Sequence, residues 1–194
     1  MRKPKAKEPA ITPRMEAVLA RLCERLGYLT KTQAVKLPYL VDVLAKGTLG
    51  RAIAGGSYQC WQYGVVTREV YHGIADSKAF KVSEQPYSED TRITLANSYE
   101  QLTAEEQEVV DAIADEFGKL DMEALGRLTK QMNTHIPRDK WGSNATADTG
   151  ESAYFRISRS WQATCERIEK LDMTNLEQSS VEIKSAADLL RRVS

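Results

Sequence analysis

Residues 30–47, TKTQAVKLPYLVDVLAKG, carry apolar side chains on nearly every side of a helical wheel. Thr30 and Gln33 stand at the spacing of a capping box, in which each side chain satisfies a free backbone donor at a helix start. Val35, Leu37, Leu40, Val41 and Leu44 then leave no broad polar face, which predicts a helix buried at the centre of the molecule. Pro38 removes one intrahelical hydrogen bond, so the helix either kinks there or starts later.

Around this segment the pattern stays mostly helical. Met15, Val18, Leu19, Leu22 and Leu26 recur at helical spacing until Gly27. Thr103 and Glu106 form a second capping box before Val109, Val110, Ile113, Ala114 and Phe117, with Gly118 as the stop. Asp121 caps a shorter helix bearing Met122, Leu125, Leu128 and Met132. Residues 154–171 have helical period again, and Ser179 with Glu182 opens a terminal helix. Asp76–Asp90 and Asn133–Gly150 read as irregular. The expected class is mainly α, all-α but for a small β element: one compact domain over residues 14–194 after a flexible basic arm at 1–13.

The β element is predicted from GGSYQCWQYGVVTREVYHGI, residues 55–74, which gathers five rings between glycine breaks. Tyr58 to Tyr63 alternates at period two, as a short strand does, and Arg92 to Leu95 is a second candidate. TREVYHGI then turns helical, with Thr67 as cap and Val70, Tyr71 and Ile74 on one face. Most of these rings are expected in the core, with one or two edges left at a surface, where Trp and Tyr serve as binding anchors.

Composition narrows the function. Lys+Arg and Asp+Glu both number 27, so the net charge is zero, whereas a nucleic-acid-binding domain normally shows a basic excess. Lys3, Lys5 and Lys7 alone would give weak, salt-sensitive binding. No apolar run reaches the roughly 20 residues of a membrane span, and the N-terminus lacks a secretory core, which together point to a cytoplasmic protein. Cys23, Cys60 and Cys165 lie far apart and read as reduced thiols. GTLGRAIAGG follows a helix and lacks the Lys-Ser/Thr pair of a phosphate loop. None of the common hydrolase, zinc-protease, dinucleotide or kinase motifs is present, and His72 and His135 have no evident partner for general-base or metal work. The acidic run from Glu105 to Glu116 fits a solvated helix face. No catalytic residue, metal ligand or cofactor is therefore assigned.

The ordered pattern resembles the Panacea domain of SocA-like antitoxins. Lys36, Leu37, Tyr39, Leu40 and Asp42 match its K-L-x-Y-L-x-D helix. Gly55, Gly56, Tyr58, Trp61, Tyr63, Gly64, Val66, Val70 and Tyr71 match its small-residue pair and aromatic-x-Y-G-P-V run. Phe117, Gly118, Leu125, Leu128, Thr129 and Trp141 echo a later block. Val65 stands where the family has proline, Pro38 where it has an aliphatic residue, and the last block is stretched into TKQMNTHIPRDKW. The resemblance implies a non-enzymatic protein that binds and neutralises a toxin, of which toxic alarmone synthetases are one kind among several. Homodimer and hetero-oligomer both stay open. The expected contact surfaces are the ring-cluster edge, the 133–150 loop and the basic arm, with Tyr58, Trp61, Tyr71, Arg138 and Trp141 as candidate contacts. The alternative readings are a phage or mobile-element protein that binds a host protein, a proteolytic adaptor, and a hydrolase or metal enzyme built on the two histidines.

Overall fold

The computed structural model describes residues 10–84 and 91–157. The chain runs α1 (Pro13–Leu26), β1 (Leu29–Thr30), α2 (Lys31–Leu49), β2 (Tyr58–Trp61), β3 (Gly64–Thr67), α3 (Arg68–Gly73), β4 (Phe80–Glu84), β5 (Thr91–Leu95), α4 (Ala104–Phe117), α5 (Met122–Met132) and β6 (Ala145–Thr146). Residues 151–157 are helical and are called α6. The predicted helix over 179–190 and most of that over 154–171 lie outside the described residues.

α2 is the axis of the core. Every residue from Ala34 to Ala45 is buried, as the all-round apolar pattern requires. The reciprocal capping box is formed: Thr30 Oγ1 accepts from the Gln33 N–H at 3.2 Å, and Gln33 Oε1 accepts from the Thr30 N–H at 2.7 Å. Helix α2 therefore starts where that pair places it and continues past position 38, so the later start that Pro38 allowed is not taken.

Helix α1 lies beside α4, and the order of their ion pairs shows that the two run parallel. Arg14 meets Glu106, Arg21 meets Asp111 and Arg25 meets Asp115, at 2.5, 2.6 and 2.6 Å. The two outer pairs are solvent-screened and contribute little each. Glu106 differs, because its side chain is buried and Arg14, Arg51 and the Thr103 N–H all converge on it. Burial alone would raise its carboxyl, but those hydrogen bonds outweigh it and hold the group down at about 2. A depressed carboxyl stabilises the fold fully above its unfolded value of about 4.5, and this support is lost as pH falls through about 2. Acid unfolding followed by circular dichroism between those limits should therefore be steeper in the natural chain than in Glu106→Gln, which has no charge to lose.

The glycine after α4 stops the helix for a different reason from the one its sequence position suggests. Gly118 has an ordinary right-handed backbone, φ −65°, but a Cβ there would lie 2.5 Å from Leu26 and 2.3 Å from the Ala114 carbonyl. It is a packing glycine, and its own carbonyl accepts from Gln33 Nε2 at 2.6 Å, tying α4 to the start of α2.

The single small β element of the sequence reading is corrected to two antiparallel three-stranded sheets among the described residues, ordered β1-β5-β4 and β3-β2-β6. The architecture is thus mixed, helix-rich α with β, and not all-α. Five residues of the segment read as loop over 76–90, Phe80–Glu84, form β4, and part of the irregular 133–150 stretch forms β6, which pairs with Gln59 and Cys60. β6, two residues long, is too short to show a period, whereas Phe80 to Ser83 does alternate, a signal that the loop reading passed over. Strand Thr91–Leu95 joins β4 and β1, away from the ring-bearing hairpin. Residues 11 and 12, which the sequence reading placed in the arm, belong to the folded part. Ile11 packs on the core and Thr12 caps α1, accepting from the Met15 N–H at 3.1 Å.

Candidate functional site

Lys36, Tyr39 and Asp42 are one helical turn apart along α2, so they form one polar row inside an otherwise apolar helix. Each is buried, and each is consumed by an internal hydrogen bond.

Asp42, 1% exposed, organises the turn before β2. Its Oδ1 accepts from the backbone N–H of Ile53 and Ala54 at 2.9 and 2.7 Å, and its Oδ2 accepts from that of Gly55 at 2.8 Å. The Tyr58 hydroxyl donates to the same Oδ2 at 2.6 Å. Three successive donors aimed at one carboxylate make a backbone nest. Gly55 supplies its left-handed residue, φ +65°. Burial raises the Tyr58 hydroxyl well above its usual value, and the neighbouring Asp42 charge adds to this, so the group stays a donor.

Lys36 and Thr129 close the outer edge of the hairpin. Strand β3 is the sheet's edge, and a buried edge needs partners for its outward backbone groups. Lys36 Nζ donates to the Val65 carbonyl at 3.0 Å, and Thr129 Oγ1 accepts from the Val65 N–H at 3.1 Å. Two side chains from α2 and α5 thus stand in for a fourth strand. A proline at position 65, as in the family pattern, has no N–H to give, so the departure at Val65 adds a hydrogen bond.

Burial of Lys36 lowers its ammonium to about 8, with Lys130 nearby pushing the same way. Its folded value lies below the unfolded 10.5, so the protonated form opposes folding below about 8, and stability rises as pH climbs from about 8 to 10.5. In Lys36→Met the relieved charge and the orphaned Val65 carbonyl offset each other, leaving stability at pH 7 within about 1 kcal/mol of the natural chain. Urea unfolding across that pH window should show the alkaline rise in the natural chain and none in the variant.

Tyr39 ties α2 to the end of α5 and the chain beyond it. Its hydroxyl donates to the Asp148 carbonyl at 2.7 Å and accepts from Asn133 Nδ2 at 2.9 Å, while Asn133 Oδ1 accepts from the Asp148 N–H at 2.7 Å. Asn133, Asp148 and Glu69, whose carboxylate accepts from the Ser57 N–H at 3.0 Å, carried no signal in the sequence analysis. Asn133 follows Leu125 and Thr129 at a spacing of four, and that spacing is a sign that could have placed it on the buried face.

The hairpin presents a second layer outward. Tyr58 and Cys60 point in, Gln59 and Trp61 out. Tyr58 is therefore removed from the candidate contacts, because its ring is buried on Tyr39 at 5.4 Å and reaches no surface. Trp61 is half-buried and meets Tyr71 edge-on at 4.8 Å, with His72 5.0 Å from Tyr71. Lys31 Nζ sits 4.4 Å above the Tyr71 ring, an arrangement worth about 0.5 to 1 kcal/mol at a surface. Tyr71, expected on the buried face of α3 with Val70 and Ile74, is instead 38% exposed; α3 is short and only its first turn is covered. Tyr63, at the hairpin tip, is 71% exposed, whereas Gly56, Gly64 and Val66 are covered. Trp141 lies partly buried next to Gly142, whose N–H donates to the Cys60 carbonyl, and Lys130 Nζ is 5.6 Å from its ring. Arg138 is exposed on the same connection.

His72 and His135 are both exposed and stand on separate elements, and no group of three metal-binding side chains occurs among the described residues. Burial raises the thiols of Cys23 and Cys60 to about 12 and about 11, which keeps them protonated. Among the described residues no helix is long and apolar enough to cross a membrane.

A buried polar scaffold under a rim of rings and cations characterises this helix-centred α/β domain. Its family model is that of the antitoxin SocA-like, Panacea domain, matched over residues 34–134, and the chain belongs to that family. No curated protein and no solved structure matches it.

Proposed function

We propose that the protein is an antitoxin that neutralises a cognate toxin by direct protein–protein binding, with no chemistry of its own. Family membership carries this reading. The site is consistent with it: Lys36, Tyr39, Asp42 and Thr129 spend their polar atoms on the scaffold, and the groups turned outward are anchors rather than nucleophiles. Neutralisation needs only occlusion, and a standard interface of about 1,600 Å² centred on a few aromatic anchors reaches nanomolar affinity.

The test is co-expression with the product of the adjacent open reading frame, scoring growth and co-purification on a tagged copy. Restored growth with a stoichiometric complex supports the proposal. Restored growth that requires a host protease and yields no stable complex supports an adaptor instead. An adjacent product that is not toxic overturns the antitoxin reading in favour of a protein that binds a host factor.

A further inference from the structure

Charge is distributed unevenly over the surface. On the α1–α4 side the arginines are matched by carboxylates: Arg14 by Glu106, Arg21 by Asp111 and Arg25 by Asp115. Around the end of β2 the pattern changes. Lys31 is held over Tyr71 and Lys130 near Trp141, and among the described residues neither lysine, nor Arg138, has a carboxylate partner. Both rings are fixed to the same strand end, Tyr71 through its edge contact with Trp61, and Trp141 through the bond from Gly142 to Cys60. Lys130 also lies close enough to the buried Lys36 beneath the hairpin to push its ammonium down, so two lysines stand near each other at this end of the hairpin. Rings that can be desolvated, bordered by cations that have no carboxylate partner among the described residues, are complementary to an acidic surface that carries apolar side chains of its own.

We infer that the face formed by Trp61, Tyr71 and Trp141, with Lys31, Lys130 and Arg138 at its border, docks an acidic, apolar-bearing segment of the toxin. This rests on the antitoxin reading above. Trp61 and Tyr71 supply the desolvated centre. The lysines steer the encounter and pair with carboxylates of the partner, so association falls as salt rises.

The experiment uses the full chain and the adjacent open-reading-frame product, with affinity measured by calorimetry at low and high salt and growth rescue scored in parallel. Lys31→Glu with Lys130→Glu should weaken binding roughly a hundredfold at low salt and flatten its salt dependence. Trp61→Ala should weaken it roughly thirtyfold. Trp61 is half-buried and its variant can lose stability, so the double lysine variant, altered only at exposed positions, is decisive once its melting temperature matches the natural chain. Arg25→Glu on the α1–α4 side is the charge control and should bind normally. If the natural chain rescues growth and binds, but the lysine variant binds within about twofold of it, the docking face is wrong and the antitoxin reading stands. If the natural chain neither rescues nor binds, the antitoxin reading fails and takes the docking face with it. Tight binding of a mixed-sequence RNA oligonucleotide, lost in the same lysine variant, assigns the face to nucleic acid and overturns a protein partner.

Discussion

Asp42→Ala should lower the free energy of unfolding by about 4 kcal/mol, a large part of the 5 to 15 kcal/mol that holds a domain of this kind together. The alanine removes the only acceptors that the N–H groups of Ile53, Ala54 and Gly55 have among the described residues, and it strips the Tyr58 hydroxyl of its closest partner. Buried donors left without a partner cost about 1 to 3 kcal/mol each, and partial access of water to the exposed Gly55 reduces the sum. Asp42→Asn keeps one carbonyl oxygen for two of the donors but turns an amide against the third, so about 2 kcal/mol should be lost. Urea unfolding of both variants orders them. A loss below about 1 kcal/mol for the alanine would mean that the turn at 53–55 is held by something other than this carboxylate.

Gly64→Ala should cost about 3 kcal/mol or more, from two independent sources. The backbone at Gly64 has φ +109°, which side chains other than glycine rarely adopt. The new Cβ would also lie 2.5 Å from Thr129 Oγ1, 2.9 Å from Lys36 Nζ and 3.1 Å from the Gly126 carbonyl. Thr129 and Lys36 are the groups that close the β3 edge, so neither can withdraw without orphaning Val65. Gly142 separates the two sources: its φ is also positive, +93°, but the nearest atom to an added Cβ is 4.0 Å away. Gly142→Ala should therefore cost only the backbone strain, about 1 kcal/mol. Equal losses in thermal unfolding at the two positions would show that crowding at Gly64 contributes nothing.

The helices were legible because their signals are local and repeated: a capping box, then an apolar face of several turns, as at Thr30 and Thr103. The β strands were legible where rings alternate, at Tyr58 to Trp61, and at Arg92 to Leu95, which falls within β5. Strands such as β6, two residues long, exist because a distant hairpin offers them a ladder, and nothing in Ala145 or Thr146 announces that. The same division applies to the site. The motif positions Lys36, Tyr39 and Asp42 stood out because they match the family pattern, but their roles did not, since a lysine that replaces a missing strand looks in sequence like any lysine on a helix. Tyr58 shows the opposite error, an aromatic proposed as a contact that the fold encloses. Lys31 and Lys130 were passed over because only the third dimension sets each against a ring and away from carboxylates.

The matched family segment ends at residue 134, yet the hydroxyl of Tyr39 and the amide of Asn133 are completed by Asp148, and β2 is completed by β6. A ribosome making this chain therefore has the central helix out long before the groups that satisfy it. Closing these contacts across so much sequence is slow compared with forming the helices themselves. A domain built this way is not a string of modules that fold one by one as they emerge, and a message cut short before Asp148 yields a chain whose core is open, fit for degradation.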